Sequence, residues 1–235
     1  MIIAATSDVH SPMYYEEFVR AIAVLTSKPD LFLIAGDMVH RGEIGEWQKI
    51  VNALSGKFFC PIVACFGNNE YQQLRDELKE KFREVRFLDD QSLVLKVGDT
   101  DVGVFGTTGS LETPTPWQKA NVPNNEKTYA ERITLAEKHL RRMPRAFRIL
   151  LTHYSPTYRT LEGENPRFFS SMGNQLYENV INAQKPNLVL HGHSHRGLKQ
   201  SWIDTVPVFN VAIQVNRGIV VIDTDKLKPG LAKFV

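Results

Sequence analysis

The stretch PIVACFGNNEYQQ, residues 61–73, passes from an apolar run through a glycine into a polar, acidic segment. Such a change reads as a buried strand turning into a helix. Similar apolar runs stand at 2–6 (IIAAT), 31–35 (LFLIA), 147–152 (FRILLT) and 188–191 (LVLH). Their near-continuous hydrophobicity fits strands covered on both faces. Between the runs, residues at helical spacing form apolar stripes: Phe18, Ile22 and Leu25; Trp47, Ile50, Val51 and Leu54; Leu74, Leu78 and Phe82; Tyr129, Ile133, Ala136 and Leu140. This alternation predicts an α/β protein with a largely parallel sheet.

The pattern changes twice. SLVLKVGDTDVGVFG (92–106) reads as a hairpin turning near Gly98 and Asp99, and residues 197–225 read as further antiparallel strands. A second, mixed sheet packed on the first would accommodate both. The polar stretches 107–127 and 154–174 are expected as long loops, which in a compact domain are usually functional. No linker or repeat divides the chain, so one domain over 1–235 is expected.

At 235 residues, 43% apolar and 23% charged, such a domain can bury a sizeable core. The net charge of +2, without basic or acidic blocks, argues against a nucleic-acid or membrane-surface binder. Nucleic acid stays open only as a substrate, and oligomeric state is not legible. No stretch approaches the roughly 18 apolar residues of a membrane span. The start, MIIAATSDVH, lacks the regions of a signal peptide, so a cytoplasmic location is expected. Cys60 and Cys65, five residues apart on an extended segment, would face opposite sides and read as packed thiols.

The apolar runs share a second property. Asp8 and His10 follow the first, Asp37 the second, Asn68 the third, His153 the fourth, and His193 and His195 the fifth. The C-terminal edge of an open α/β sheet is where sites form. Asp8 and His10, like His193 and His195, are separated by one residue, which on extended chain puts both side chains on one side. Two carboxylates, four imidazoles and an amide carbonyl suit Mn, Fe, Zn, Co or Ni better than Ca or Mg. Seven side chains are enough for two ions sharing Asp37. Each residue alone is more often a helix cap or a satisfied polar group. Five consecutive strand ends of metal-binding type are hard to produce by capping alone. Glycines at 36, 67 and 192 would let the backbone turn sharply beside the ions.

DVH at 8–10, GD at 36–37, GNNE at 67–70, the isolated His153 and GHSH at 192–195, in this order, resemble the signature of the calcineurin-like metallophosphoesterases. The resemblance implies a four-layer αββα sandwich and a dinuclear site. One ion would take Asp8, His10 and His195, the other Asn68, His153 and His193, with Asp37 bridging. Manganese is the first expectation for the metal. The implied reaction is in-line attack of a metal-bound hydroxide on phosphorus, with the ions about 3.5–4 Å apart. Two divalent ions facing two carboxylates and a hydroxide leave one positive charge, which a phosphodiester anion neutralises. A small phosphodiester or activated phosphate ester is therefore the expected substrate. The alternatives are a broad phosphomonoesterase or nuclease, and a non-catalytic metal-binding interaction module.

The chain departs from the signature at Asn69, where many members carry His. An amide can donate a hydrogen bond to a phosphoryl oxygen but cannot deliver a proton at neutral pH. His40 is the candidate to compensate. Arg41, Arg159 and Arg167 are expected to pair with phosphate oxygens, with residues 154–174 as a lip over the substrate. His191 is expected as a buried strand or supporting residue, and His139 as a solvated one.

Overall fold

The computed structural model describes residues 1–143 and 145–227. In chain order its elements are β1 (Ile2–Thr6), α1 (Tyr15–Ala23), β2 (Leu31–Ala35), α2 (Ile44–Leu54), β3 (Ile62–Cys65), α3 (Arg75–Lys81), β4 (Val85–Leu88), β5 (Gln91–Val97), β6 (Thr100–Thr107), α4 (Pro116–Asn121), α5 (Asn125–Arg141), β7 (Phe147–Thr152), α6 (Leu176–Gln184), β8 (Leu188–His191), β9 (Gln200–Ile203), β10 (Val206–Asn210), α7 (Ile213–Asn216) and β11 (Val220–Asp223). Among the described residues they form a five-stranded sheet, β11-β1-β2-β3-β4, and a six-stranded sheet, β5-β6-β7-β8-β10-β9.

Alternation along each strand divides the interior into three layers. Ile3, Ala5, Leu31, Leu33 and Cys65 meet Ile149, Leu151, Leu188 and Leu190 between the sheets. The intervening Ala4, Phe32, Ile34 and Ala64 face α1, α2 and α3, packing against Phe18, Trp47, Ile50 and Leu78. On the far side Leu150 and Val189 meet Ala136, Leu140, Tyr177 and Ile181 of α5 and α6. The result is the expected four-layer αββα sandwich, since apolar strands need cover on both faces. Cys60 and Cys65 are free and pack on different sides of the sheet.

The hairpin is observed as read: β5 and β6 are antiparallel, with Val97 opposite Thr100 across Gly98 and Asp99. Other expectations need correction. β9 and β10 are antiparallel to one another, but β10 runs parallel to β8, and β11 leaves for the other sheet to pair with β1. The short β4 and helix α6 carry no stripe strong enough to stand out in the sequence. The stretch 107–127 contains α4, started by a capping box in which Thr115 and Gln118 satisfy one another's backbone N–H groups, with Pro116 in the first turn. The stretch 154–174 contains a 3₁₀ segment, Pro166–Ser171, capped by the Asn165 side chain. His139 is not simply solvated: its ring stacks on Phe105 with centroids 5.0 Å apart, and Nδ1 lies 2.7 Å from Ser92 Oγ. Pro144 and residues 228–235 of the expected 1–235 domain lie outside the described residues.

Candidate metal centre

The parallel strands end in turns that carry the polar residues, and two of those turns interlock. The backbone N–H of Asp8 donates to Gly36 O and that of His10 to Asp37 O, both at 3.0 Å. Asp8, His10, Asp37 and His193 adopt left-handed backbone, with φ of 60°, 44°, 52° and 67°. Each such residue costs about 1 kcal/mol or more and persists only where the surroundings hold it. Two glycines are required by close approach. A Cβ at Gly67 would collide with the Asp37 carboxylate, and one at Gly192 with that of Asp8.

The carboxylates are oriented by hydrogen-bond donors and face the imidazoles. Asp8 Oδ2 accepts from Ser7 Oγ and from the backbone N–H of His193. Its Oδ1 lies 3.1 Å from His195 Nε2 and 3.7 Å from His10 Nε2. Burial alone would raise the pKa of Asp8, but the His10 and His195 imidazoles beside it hold it well below the ordinary carboxylate range. Asp37 Oδ2 stands between two imidazoles, 3.5 Å from His153 Nε2 and 3.9 Å from His10 Nε2.

The imidazoles are held in ways that would suit metal ligands. His153 Nδ1 donates to Ala35 O at 2.9 Å, which fixes the tautomer and leaves Nε2 with its lone pair. That nitrogen faces Asn68 Oδ1 at 3.1 Å. Two acceptors converge there, an arrangement that a shared cation satisfies. His10 Nε2 is buried with no hydrogen-bond partner among the described residues, so it too lacks what a cation would provide. His193 packs against His153 and Tyr154, with centroids 5.0 and 4.9 Å away. Burial pushes its pKa far down, which favours the neutral ring. Asp8, His10 and His195 form one group, and Asp8, Asp37 and His153 another, whose ligand atoms lie within 4.8 Å of one another. The donor set fits divalent transition metals.

The calcineurin-like phosphoesterase family model matches residues 1–197. The chain belongs to that family. A search of curated proteins finds no match. Among solved structures, the phosphopantetheinyl hydrolase of Mycobacterium tuberculosis superposes with a TM-score of 0.67 at 14% identity, over 92% of this chain and 90% of that one. A protein of Thermus thermophilus gives 0.62 at 16%, over 95% and 98%. A putative 5′-nucleotidase from Staphylococcus aureus gives 0.63 at 19%, over 97% of this chain but 51% of its own. At such identities the likeness is one of fold.

In this calcineurin-like phosphoesterase a cleft of about 310 Å³ adjoins the polar cluster, lined by Arg41, Asn68, Asn69, Trp117, Tyr154 and His193 among others. The other candidates are placed differently. His40 is half-buried, its ring 6.4 Å from that of His10. Arg159 donates to Trp202 O and pairs with Glu178 at 3.3 Å, and it does not line the cleft. Arg167 is exposed on the 3₁₀ segment, its backbone N–H donating to Asn165 Oδ1. His191 is fully buried, with Nδ1 2.8 Å from Gly192 O, and burial lowers its pKa to about 4.

Two functional contributions escaped the sequence reading. Glu70, the acid ending GNNE, accepts from the backbone N–H groups of Gly67, Asp37 and Met38, each at 2.8 Å, and so ties the β2 and β3 turns together. Tyr154, next to His153, closes one side of the cleft, and nothing in its sequence surroundings marks it.

Asn69 does not point simply at substrate. Its Nδ2 donates to Asp37 Oδ2 at 2.6 Å, its backbone N–H to Asp37 Oδ1 at 2.7 Å, and its Oδ1 accepts from the Arg41 N–H at 3.1 Å. The amide thus positions both a carboxylate and the loop bearing Arg41. Asn69→Ala is expected to weaken metal retention by about 10- to 100-fold, the usual effect of losing an outer partner of a ligand. Calorimetric metal titration checks this. Unchanged metal affinity with a lowered kcat would instead place the Asn69 side chain on the substrate.

Proposed function

We propose that this phosphoesterase hydrolyses phosphodiesters and activated phosphate esters at a two-metal centre. One ion would be held by Asp8, His10 and His195 and the other by Asn68, His153 and His193, with Asp37 shared. The observation that carries this reading is Asp37 Oδ2, placed between His153 Nε2 and the partnerless His10 Nε2. Bound divalent ions supply Lewis acidity and an acidified water as nucleophile. Manganese is the first candidate.

The chain's own groups do the rest. Arg41 lines the cleft and offers a guanidinium to phosphoryl oxygens. Tyr154 shields the site from water; burial keeps its phenol protonated, pushing the pKa well up, and its hydroxyl accepts from Gln118 Nε2 at 3.0 Å. Asn69 holds Asp37 rather than a transferable proton. A monoanionic diester matches the small positive excess expected of this centre. The substrate is a small phosphate ester. Among the described residues no helix is long and apolar enough to cross a membrane.

Without an acid at position 69, rates are expected to depend steeply on the leaving group, because general acid catalysis is typically worth about 10²- to 10⁴-fold. Nitrophenyl esters should be cleaved far faster than alkyl esters by manganese-loaded protein. A flat dependence across an aryl series, with chemistry rate-limiting, would mean that another side chain donates, and His40→Ala would identify it. Two bound ions with no turnover of bis(4-nitrophenyl) phosphate would support a binding module instead.

A further inference from the structure

Beside the metal cleft, sharing Asn68, Tyr71, Trp117, Gln118 and Tyr154 with it, lies a larger cavity of about 670 Å³. The hydrolytic geometry makes no use of it, yet its volume falls within the roughly 300–1,000 Å³ typical of pockets for drug-sized ligands.

Its two guanidiniums are already paired, and its third carboxylate, Glu70, is taken up by backbone N–H groups. Arg75 Nη1 pairs with Asp89, and Arg132 Nε lies 3.1 and 3.0 Å from the two carboxylate oxygens of Asp90. Both guanidiniums are largely buried, and Arg132 also donates to Gly109 O. An occupant carrying its own charge would meet no unpaired cation there, so the cavity suits a neutral group. The walls offer aromatic faces and amides together. Tyr129 and Tyr154 stand edge to face, and Trp117 is 63% exposed at the junction of the two cavities. Gln72 and Gln73 line the cavity with exposed side chains, and Asn121, whose Nδ2 donates to Trp117 O, keeps its Oδ1 as an acceptor. Aromatic faces stack on nucleobases, and amide side chains match the paired donors and acceptors on base edges.

We propose that this cavity receives a single neutral nucleoside, so that the substrate class is nucleoside phosphate esters with phosphorus at the metal cleft. The proposal rests on the phosphoesterase reading above and adds the identity of the alcohol. The shared lining at Asn68 is the link, since one molecule can place phosphorus beside Asn68 and its ring system between Trp117, Gln72 and Gln73.

The test uses the full chain and two esters with one leaving group, thymidine 5′-(4-nitrophenyl phosphate) and methyl 4-nitrophenyl phosphate. With manganese supplied, kcat/KM is expected to favour the thymidine ester by about tenfold or more, the low end of what stacking on aromatic side chains contributes. Calorimetry should detect binding of free adenosine or thymidine without any turnover. Thr128→Trp fills the cavity from α5, and should abolish nucleoside binding and the preference while leaving the methyl ester rate within about twofold. Val122→Trp, just past the end of α4, serves if that variant fails to fold. Equal kcat/KM for the two esters, or a preference that survives both fillings, would overturn the proposal while leaving the phosphoesterase reading intact. Nucleoside binding lost on filling, with neither ester hydrolysed, would uphold the cavity assignment and place the failure in the reading of the metal centre.

Discussion

Asp37→Asn is expected, on the proposed two-metal reading, to lower turnover of an activated diester by about two orders of magnitude or more and to weaken metal retention, since that reading gives Asp37 both a charge and a shared ligand oxygen. The geometry explains the size. Asp37 Oδ2 is the carboxylate oxygen that stands between His10 and His153, and Oδ1 is already occupied by the Asn69 backbone N–H. An asparagine there would turn an amide either toward the ion or toward the Asn69 N–H, and neither orientation is favourable. Metal content after dialysis, read beside kcat, separates loss of ions from loss of chemistry. Near wild-type turnover with two ions retained would rule out the shared role.

Glu70→Ala is expected to cost substantial stability. The carboxylate is fully buried. Burial raises its pKa, and the charge of Asp37 adds to that, while N–H donors from Gly67 and Asp37 pull it back. Its removal would leave the N–H groups of Gly67, Asp37 and Met38 without their acceptor. At about 1–3 kcal/mol for each buried unsatisfied group, the cost is about 3 kcal/mol or more. For a chain of this size each kcal/mol lowers Tm by about 2–4 °C, so a fall of about 6–12 °C is expected in calorimetry. Metal affinity should fall with it, because Asp37 and Asn68 lie on the turns that Glu70 joins. Glu70→Gln retains an acceptor and should fall between. A change below about 2 °C for the alanine variant would mean that other groups satisfy these amides.

What could be read in the chain was what local geometry dictates. A continuous apolar run such as LFLIA must be covered on both faces, so it implied a central strand and layers above and below. Spacing of one residue in DVH and HSH suggested paired ligands on one side of extended chain, but Asp8, His10 and His193 adopt left-handed backbone, so the turns and not a strand's alternation bring each pair together. Order along the sequence placed every candidate ligand just past the C-terminal end of a strand, but the single parallel sheet expected for those strands is two: β1, β2 and β3 lie in one sheet and β7 and β8 in the other. The capping box of α4 is present in the letters TPTPWQ, residues 113–118, but proline and threonine also signal loops, so the helix does not stand out there.

The tertiary structure decided everything that depends on long-range register. Asp8 and His195 are 187 positions apart and meet at 3.1 Å only because β8 lies beside β7 across the sandwich from β1. β11 could have extended the strands beside it in sequence, but pairs with β1 instead, where Ile222 enters the core between the sheets. The aim of Asn69 at Asp37 and the capture of Arg159 by Glu178 belong to the same class. A side chain's own position sets where it starts, while the partner that claims its hydrogen bonds is supplied by distant elements. Local pattern and residue chemistry therefore set the layers and the ligand types. Packing between the sheets and loops settled which donors meet which acceptors, and opened the second cavity beside the metal cleft.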